Sequence, residues 1–282
     1  MQLRNSGAEI FIPDHRPVEA AVQRTTHMSI AAHQDDIEIM AYDGILKCFG
    51  KANEWFMGVV VTNGSGSPRD DLYADYTDEE MQQVRKLEQK KAAFVGEYGA
   101  QVLLDYPSSA VKDSANQDVK EELKALVTAA KPKILYTHNL ADKHDTHVGV
   151  TVKVISSLRE LPEEARPEKV YGCEVWRVLD WMNDVDKVKF DVAAHPNLAP
   201  ALVGVFDSQI CGGKRYDLAT AGRRLANATY AESHGTDDTT ASIYAMDLTP
   251  LMNDAALDIN TYVQEYVNRF SKDIADRIGK ML

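Results

Sequence analysis

Four short, nearly unbroken apolar runs mark the first half of the chain: THMSIAAH at 26–33, WFMGVVVT at 55–62, QVLLDY at 101–106 and KILYTH at 133–138. Between them the apolar residues recur at helical spacing. Ile45, Leu46 and Phe49 supply that rhythm over Asp43–Phe49, and Val119, Leu123, Leu126, Val127 and Ala130 supply it before Pro132 ends the helix. Thr77 and Glu80 form a capping-box pattern that opens a helix from Asp78 to about Tyr98, with Met81, Val84, Leu87 and Val95 predicted on one face. Strands that are apolar at every position must be covered on both sides. Alternation with helices therefore implies a parallel sheet between two helical layers.

The order β-α-β-α-β-α-β predicts a Rossmann-like, mostly parallel α/β sheet with its site beyond the C-terminal ends of the strands. The pattern continues with a helix at about Thr146–Leu158, a strand at KVYGCEV (169–175) and a half-exposed strand at VDKVKFDV (185–192). Ile259, Tyr262, Val263, Tyr266, Phe270, Ile274 and Ile278 then place one apolar face on a long closing helix. No repeat or linker-like stretch interrupts 1–282, which reads as a single domain: an α/β core over 26–180 carrying the site, and a C-terminal mixed extension over 181–282 shaping the substrate pocket.

Charge narrows the partners. Asp and Glu number 43 against 31 Lys and Arg, a net charge of -12 that repels a phosphate backbone, so nucleic acid is not expected as a partner. No run approaches the ~18 apolar residues of a membrane span, and the N-terminus lacks the basic and apolar regions of a signal peptide. Cys48, Cys173 and Cys211 form no C-x-x-C pair and read as buried thiols. The expectation is a cytoplasmic protein acting on a small molecule.

Two polar clusters sit where such a sheet builds its site. Ala31-Ala32-His33-Gln34-Asp35-Asp36-Ile37-Glu38 ends the first apolar run, and His138-Asn139-Leu140-Ala141-Asp142-Lys143-His144-Asp145-Thr146-His147 ends the fourth. A catalytic zinc takes three His or carboxylate ligands, keeps a position open for water and needs a base nearby. His33 and Asp36, three apart at a strand-to-helix passage, can turn toward one ion and leave Asp35 as base. His144 and His147 have the same spacing at a helix start, so one can bind metal while the other faces substrate. Either cluster alone is equally well read as helix-capping carboxylates and ordinary histidines. Together at neighbouring strand ends they favour a metal site.

These residues resemble the PIG-L/LmbE-like zinc-dependent N-deacetylases, which act on N-acetylglucosaminyl groups. Ala32-His33-Gln34-Asp35-Asp36 is similar to the family's A-H-P-D-D signature, and Asp142 to His147 to its D-x-H-x-D-H segment. Val61-Thr62-Asn63-Gly64 and the helix bearing Arg85, Glu88 and Ala92 match two further family features, and the likeness runs from about Met28 to Val150, fainter at Ser208-Gln209 and Tyr230-Ala231-Glu232. The resemblance implies that His33, Asp36 and His147 bind Zn2+, that Asp35 is the general base, that His144 is the acid or oxyanion partner, and that Arg85 contacts a substrate hydroxyl. It implies an attack of zinc-activated water on an acetamide, with Asp35 or His144 protonating the departing amine. Gln34 stands in place of the family's proline. Thr146 replaces an aspartate that orients the catalytic histidine, a role left to Asp142 or Asp145. The family also forms homo-oligomers, and the closing helical face is open to use within one subunit or between subunits.

Weaker signals point both ways. Gly64-Ser65-Gly66-Ser67 lacks the spacing of a phosphate cradle and reads as a loop. Glu174, Trp176, Arg177, Asp180 and Trp181 are read as packing in preference to a substrate wall. Arg223, Arg224, Tyr230, Glu232 and His234 either close over the site or form a solvated helix face, and His15, His27 and His195 are read as structural. Besides the zinc hydrolase, a metal-binding sugar-recognition protein without turnover, an amidase for a non-sugar amide and a nucleotide-binding α/β enzyme are the rival readings. A binding protein has no use for Asp35, and the nucleotide fingerprint is missing.

Overall fold

In the computed structural model, which describes residues 1–282, each of the four apolar runs becomes a strand. The chain forms β1 (Glu9–Phe11), α1 (Val18–Gln23), β2 (His27–Ala31), α2 (Asp36–Met40), α3 (Tyr42–Cys48), β3 (Phe56–Thr62) and α4 (Asp78–Val95). There follow β4 (Ala100–Tyr106), α5 (Ser108–Lys112), α6 (Asp118–Ala130), β5 (Ile134–His138), α7 (Asp145–Arg159) and β6 (Lys169–Cys173). The last third comprises β7 (Val188–Asp191), α8 (Leu198–Val203), α9 (Asp207–Ile210), α10 (Tyr216–Thr229), β8 (Ser242–Asp247), α11 (Thr249–Asn253) and α12 (Ile259–Gly279).

All eight strands share one sheet in the order β1-β4-β3-β2-β5-β6-β8-β7. The pairs among β4, β3, β2, β5 and β6 are parallel, whereas β1, β8 and β7 join antiparallel. From β2 the chain winds outward to β3 and β4, then returns to β5 on the other side of β2. The switch in winding direction therefore falls between β2 and β5, where the two connections part and leave a crevice above the strand ends. Side chains alternate along the strands: Met28, Ile30, Met57, Val59, Val102 and Leu104 join one apolar core, while Ala31, Phe56, Val60 and Leu103 join the other. These two cores hold the helices on both faces.

The short β1 and β8 were not anticipated from sequence. β8 lies between β6 and β7, so residues 181–282 complete the same sheet instead of forming a separate layer. α4 buries Met81 and half-buries Val84 and Val95 as predicted, but Leu87 departs from that face. Leu87 is 68% and Phe94 66% exposed, and the buried side of the helix is Met81, Arg85, Lys86, Glu88, Gln89 and Ala92. The reason is polar: Gln89 donates to Glu38 at 2.8 Å and Arg85 to Asp35 at 3.1 Å, and buried carboxylates at the end of β2 must have such partners. The capping box at Thr77 and Glu80 is present. In α12 the predicted apolar face is used only in its first half, where Tyr262 and Tyr266 are buried; Ile274 and Ile278 lie exposed. No helix is long and apolar enough to cross a membrane.

Two contacts tie this frame to the site. Gly172 in β6 passes so close to β5 that a Cβ there would stand 3.0 Å from Asn139 Cα and 3.2 Å from the His138 carbonyl oxygen. Glu88 accepts from both the amide and the hydroxyl of Ser208, each at 2.7 Å, and so anchors α9 against α4. Burial raises the Glu88 pKa, and the opposing effects of Arg85 and Ser208 do not cancel it.

Gly172→Ala is expected to lose about 1–3 kcal/mol of unfolding free energy in urea melts, because its neighbours on β5 are backbone and cannot rotate away. Glu88 holds its proton more tightly folded than unfolded. Its contribution to stability is therefore full below about pH 4.3, the ordinary glutamate value, and is lost as pH rises through the raised folded value. Urea melts between pH 4 and 8 should accordingly show a shallower decline with pH for Glu88→Gln than for the native protein.

Candidate metal centre and pocket

β2 and β5 are adjacent and parallel, so the two polar clusters that follow them meet at the crevice. Asp35 caps α2 with φ 81°, a backbone conformation unfavourable for a non-glycine residue, and this sharp passage sets its side chain apart from that of Asp36 on the first turn. His144 is the N-cap of α7 and His147 lies in its first turn.

Three side-chain atoms converge. His33 Nδ1 lies 3.3 Å from Asp36 Oδ2 and 3.2 Å from His147 Nε2, and His147 Nε2 lies 3.3 Å from Asp36 Oδ2. A tetrahedral zinc with ligands at ~2.0–2.1 Å requires ligand atoms about 3.3–3.4 Å apart, so two imidazoles and a carboxylate fit such an ion with one position left open. Burial, aided by the charge of Arg85, lowers the His33 pKa to about 3, which leaves its ring neutral with a lone pair to offer. His138 lies close as well, its ring stacked on His147 at 3.9 Å. Its Nε2 is 3.5 Å from Asp36 Oδ2 but accepts the Ala32 amide at 2.8 Å, so that lone pair is taken. His138 therefore packs against the converging side chains with that nitrogen already engaged by the backbone.

Asp142 buttresses His147. Its Oδ2 faces His147 Nδ1 at 3.5 Å and accepts the Trp176 amide at 3.1 Å, and its Oδ1 accepts the His144 amide at 3.1 Å. Burial pushes this carboxyl up, but the His147 bond and charge and the two amides outweigh it and the pKa is lowered. Asp142 thus orients the His147 imidazole and touches His144 through its backbone. No side chain replaces the missing aspartate at His144, whose buried Nδ1 has no partner. Asp145 is exposed and makes no hydrogen bond to the site; it acts on His144 only as a nearby charge. Burial, with His33 next, lowers the His144 pKa.

Asp35 is buried beside Asp36, and desolvation raises its pKa against the pull of Arg85. Arg85 is itself buried. Its Nη2 donates to Asp35 Oδ2 and to the Gln34 carbonyl, while Nε and Nη1 have no hydrogen-bond partner. Gln34 donates to the Thr62 carbonyl at 3.2 Å, and its Oε1 would meet a Cβ on Gly64 at 2.5 Å; with φ at 74°, position 64 requires glycine.

Above these groups opens a cavity of about 540 Å³. His33, Asp35, Asp36, Arg85 and His144 line it together with Gly64 and Ser67 of the loop after β3. Of the residues with double readings, Trp176 and Arg223 line it, whereas Arg224 turns into the core to bond the Glu38 carbonyl, and Tyr230, Glu232 and His234 are exposed. Gln209, named in sequence only through the fainter family likeness at Ser208-Gln209, also lines it, as do Lys214, Tyr216 and Thr220, which were not singled out because no spacing links α10 and the segment before it to the clusters they face.

Residues 28–158 match the PIG-L family, described as GlcNAc-PI de-N-acetylase. No curated protein matches the chain in sequence. Among solved structures, N,N'-diacetylchitobiose deacetylase from Pyrococcus horikoshii superposes with a TM-score of 0.63 at 13% identity, covering 84% of this chain and 88% of that one. The 4-carboxy-2-hydroxymuconate hydratase of Pseudomonas putida KT2440 gives 0.59 at 16%, over 79% and 95%. A zinc-inhibited form of a teicoplanin deacetylase gives 0.56 at 11%, over 78% and 97%. At these identities the likeness is one of fold.

His147→Ala should abolish tight zinc binding, and His33→Ala should weaken it strongly, whereas His144→Ala should retain stoichiometric metal. Metal content after dialysis against limiting zinc distinguishes them, and equal zinc in native and His147→Ala protein would overturn the ligand set.

Proposed function

We propose that this chain, a member of the PIG-L family over residues 28–158, is a zinc-dependent hydrolase that removes the acetyl group from an N-acetylated amino sugar or a related conjugate. One observation carries the reading: side-chain atoms of His33, Asp36 and His147 lie 3.2–3.3 Å apart, the first two residues lining the cavity together with a further buried carboxylate, Asp35. Deacetylases among the proteins of similar fold support it.

His33, Asp36 and His147 hold the ion, and Asp142 fixes the ring of His147. A divalent zinc held there supplies Lewis acidity toward a carbonyl and lowers the pKa of water toward ~7. Asp35 takes a proton from the attacking water as its oxygen bonds to the acetamide carbon, and Arg85 holds that carboxylate in place through Nη2. His144, at the cavity wall, donates an imidazole N–H to the carbonyl oxygen as negative charge develops on it. When the C–N bond breaks, Asp35 returns the proton to the departing nitrogen, so that acetate and a free amine leave. Nε of Arg85, which makes no hydrogen bond, is the donor left for a substrate hydroxyl, since Nη1 faces Glu88 Oε2 at 3.6 Å.

Asp35→Asn is expected to keep its metal and lose about 10²–10⁴-fold in turnover, measured as amine release from N-acetylglucosamine derivatives. Bound zinc with no Asp35-dependent turnover on a broad acetamide panel would favour the sugar-recognition reading. Turnover confined to non-sugar acetamides would favour the amidase.

A further inference from the structure

We infer that the substrate carries an anionic group, phosphate or carboxylate, beside its acetamido moiety, seated at the cavity mouth between Lys214 and Arg223. This rests on the deacetylase reading above. The first observation is the placement of charge. The only carboxylates lining the cavity are Asp35 and Asp36, both buried among the groups at the floor, and the other charged side chains of the wall, apart from Arg85, are Lys112, Lys214 and Arg223.

These three cations are also unpaired. Acidic residues outnumber basic ones 43 to 31, and many surface bases find a carboxylate: Lys86 pairs with Glu9 and Asp105, Lys124 with Glu121 and Glu160. Lys112, Lys214 and Arg223 form no ion pair with any acid. Arg223 is half-buried and held to the Val175 carbonyl by Nη1, which orients the guanidinium without neutralising it. Glu174, buried behind Arg223, feels its charge but does not line the cavity, so in a protein of net charge -12 this wall offers an anionic ligand a local patch of positive charge that offsets the long-range repulsion.

An aromatic wall sets the distance to the reacting centre. The Trp176 ring lies 6.4 Å from His144, with Tyr216 edge-on at 6.1 Å and Lys214 Nζ 5.2 Å from its centroid. A sugar ring stacked on Trp176 would have His144 on one side and the Lys214 ammonium on another, so acetamide and anion are held at once.

The metal-loaded enzyme is assayed for amine release from N-acetylglucosamine, N-acetylglucosamine 6-phosphate and N-acetylmuramic acid, the last two separating phosphate from carboxylate. At least one anionic substrate is expected to exceed the neutral one in kcat/KM by about tenfold or more. Lys214→Gln and Arg223→Gln should each cut that ratio about tenfold, chiefly through KM, and rising salt should do the same. Lys51→Gln, exposed beyond α3 at the opposite end of the sheet, should leave the ratio unchanged. Equal handling of neutral and anionic substrates by native protein, or an unchanged ratio in both variants, overturns the subsite and leaves deacetylation standing. If no acetamide is cleaved, the deacetylase reading fails. Calorimetric binding of glucosamine 6-phosphate and muramic acid against glucosamine then decides the subsite alone: preference for an anion that is lost in Lys214→Gln supports it, and equal binding of all three overturns it.

Discussion

Two adjacent carboxylates buried at the end of β2 set the terms for the structure around them. Asp35 and Asp36 are 4% and 2% exposed, and two like charges out of water are costly unless cations or donors surround them. Arg85 answers Asp35 from α4, and the His33 amide answers Asp36 at 2.7 Å. α4 must therefore turn its polar side inward. Arg85 in turn needs Glu88, 3.6 Å away, and Glu88 holds α9, which carries Gln209 into the cavity. A chain of charge compensation thus runs from the floor of the site to its wall.

The histidines obey a different constraint. Four of them, His33, His138, His144 and His147, crowd together with ring centroids 3.9–5.2 Å apart among neighbouring pairs. Burial lowers the pKa of His33, His138 and His144, which disfavours positive charge on those three rings. Such a cluster suits a cation and would be expelled by none of its own charges. Only the hydrogen bonds sort the roles: the Ala32 amide occupies His138, and Asp142 orients His147.

Fold alone does not choose the reaction. A hydratase and several deacetylases share this architecture, so the reaction and its substrate must be read from side chains at the crevice. The converging His and Asp side chains come from residues 33–147, and much of the cavity wall comes from residues 209–223.

The sequence by itself determined the strands of the parallel core, their alternation with helices, and the two polar clusters, because burial on both faces and strand-end chemistry leave local patterns in composition. Even Trp176, whose position beside a strand end was legible, was assigned to packing, since nothing local tells a core tryptophan from one on a cavity wall. Leu87 was placed on the buried face of α4 for a related reason: it obeys helical periodicity, but the polar residues that take the buried side answer charges fifty residues away. Which histidines meet Asp36 at the crevice, that Asp142 serves His147, and that α9 and α10 flank the pocket were decided only by tertiary structure. The winding order placed β2 beside β5, and that adjacency is a property of the whole sheet that no single segment contains.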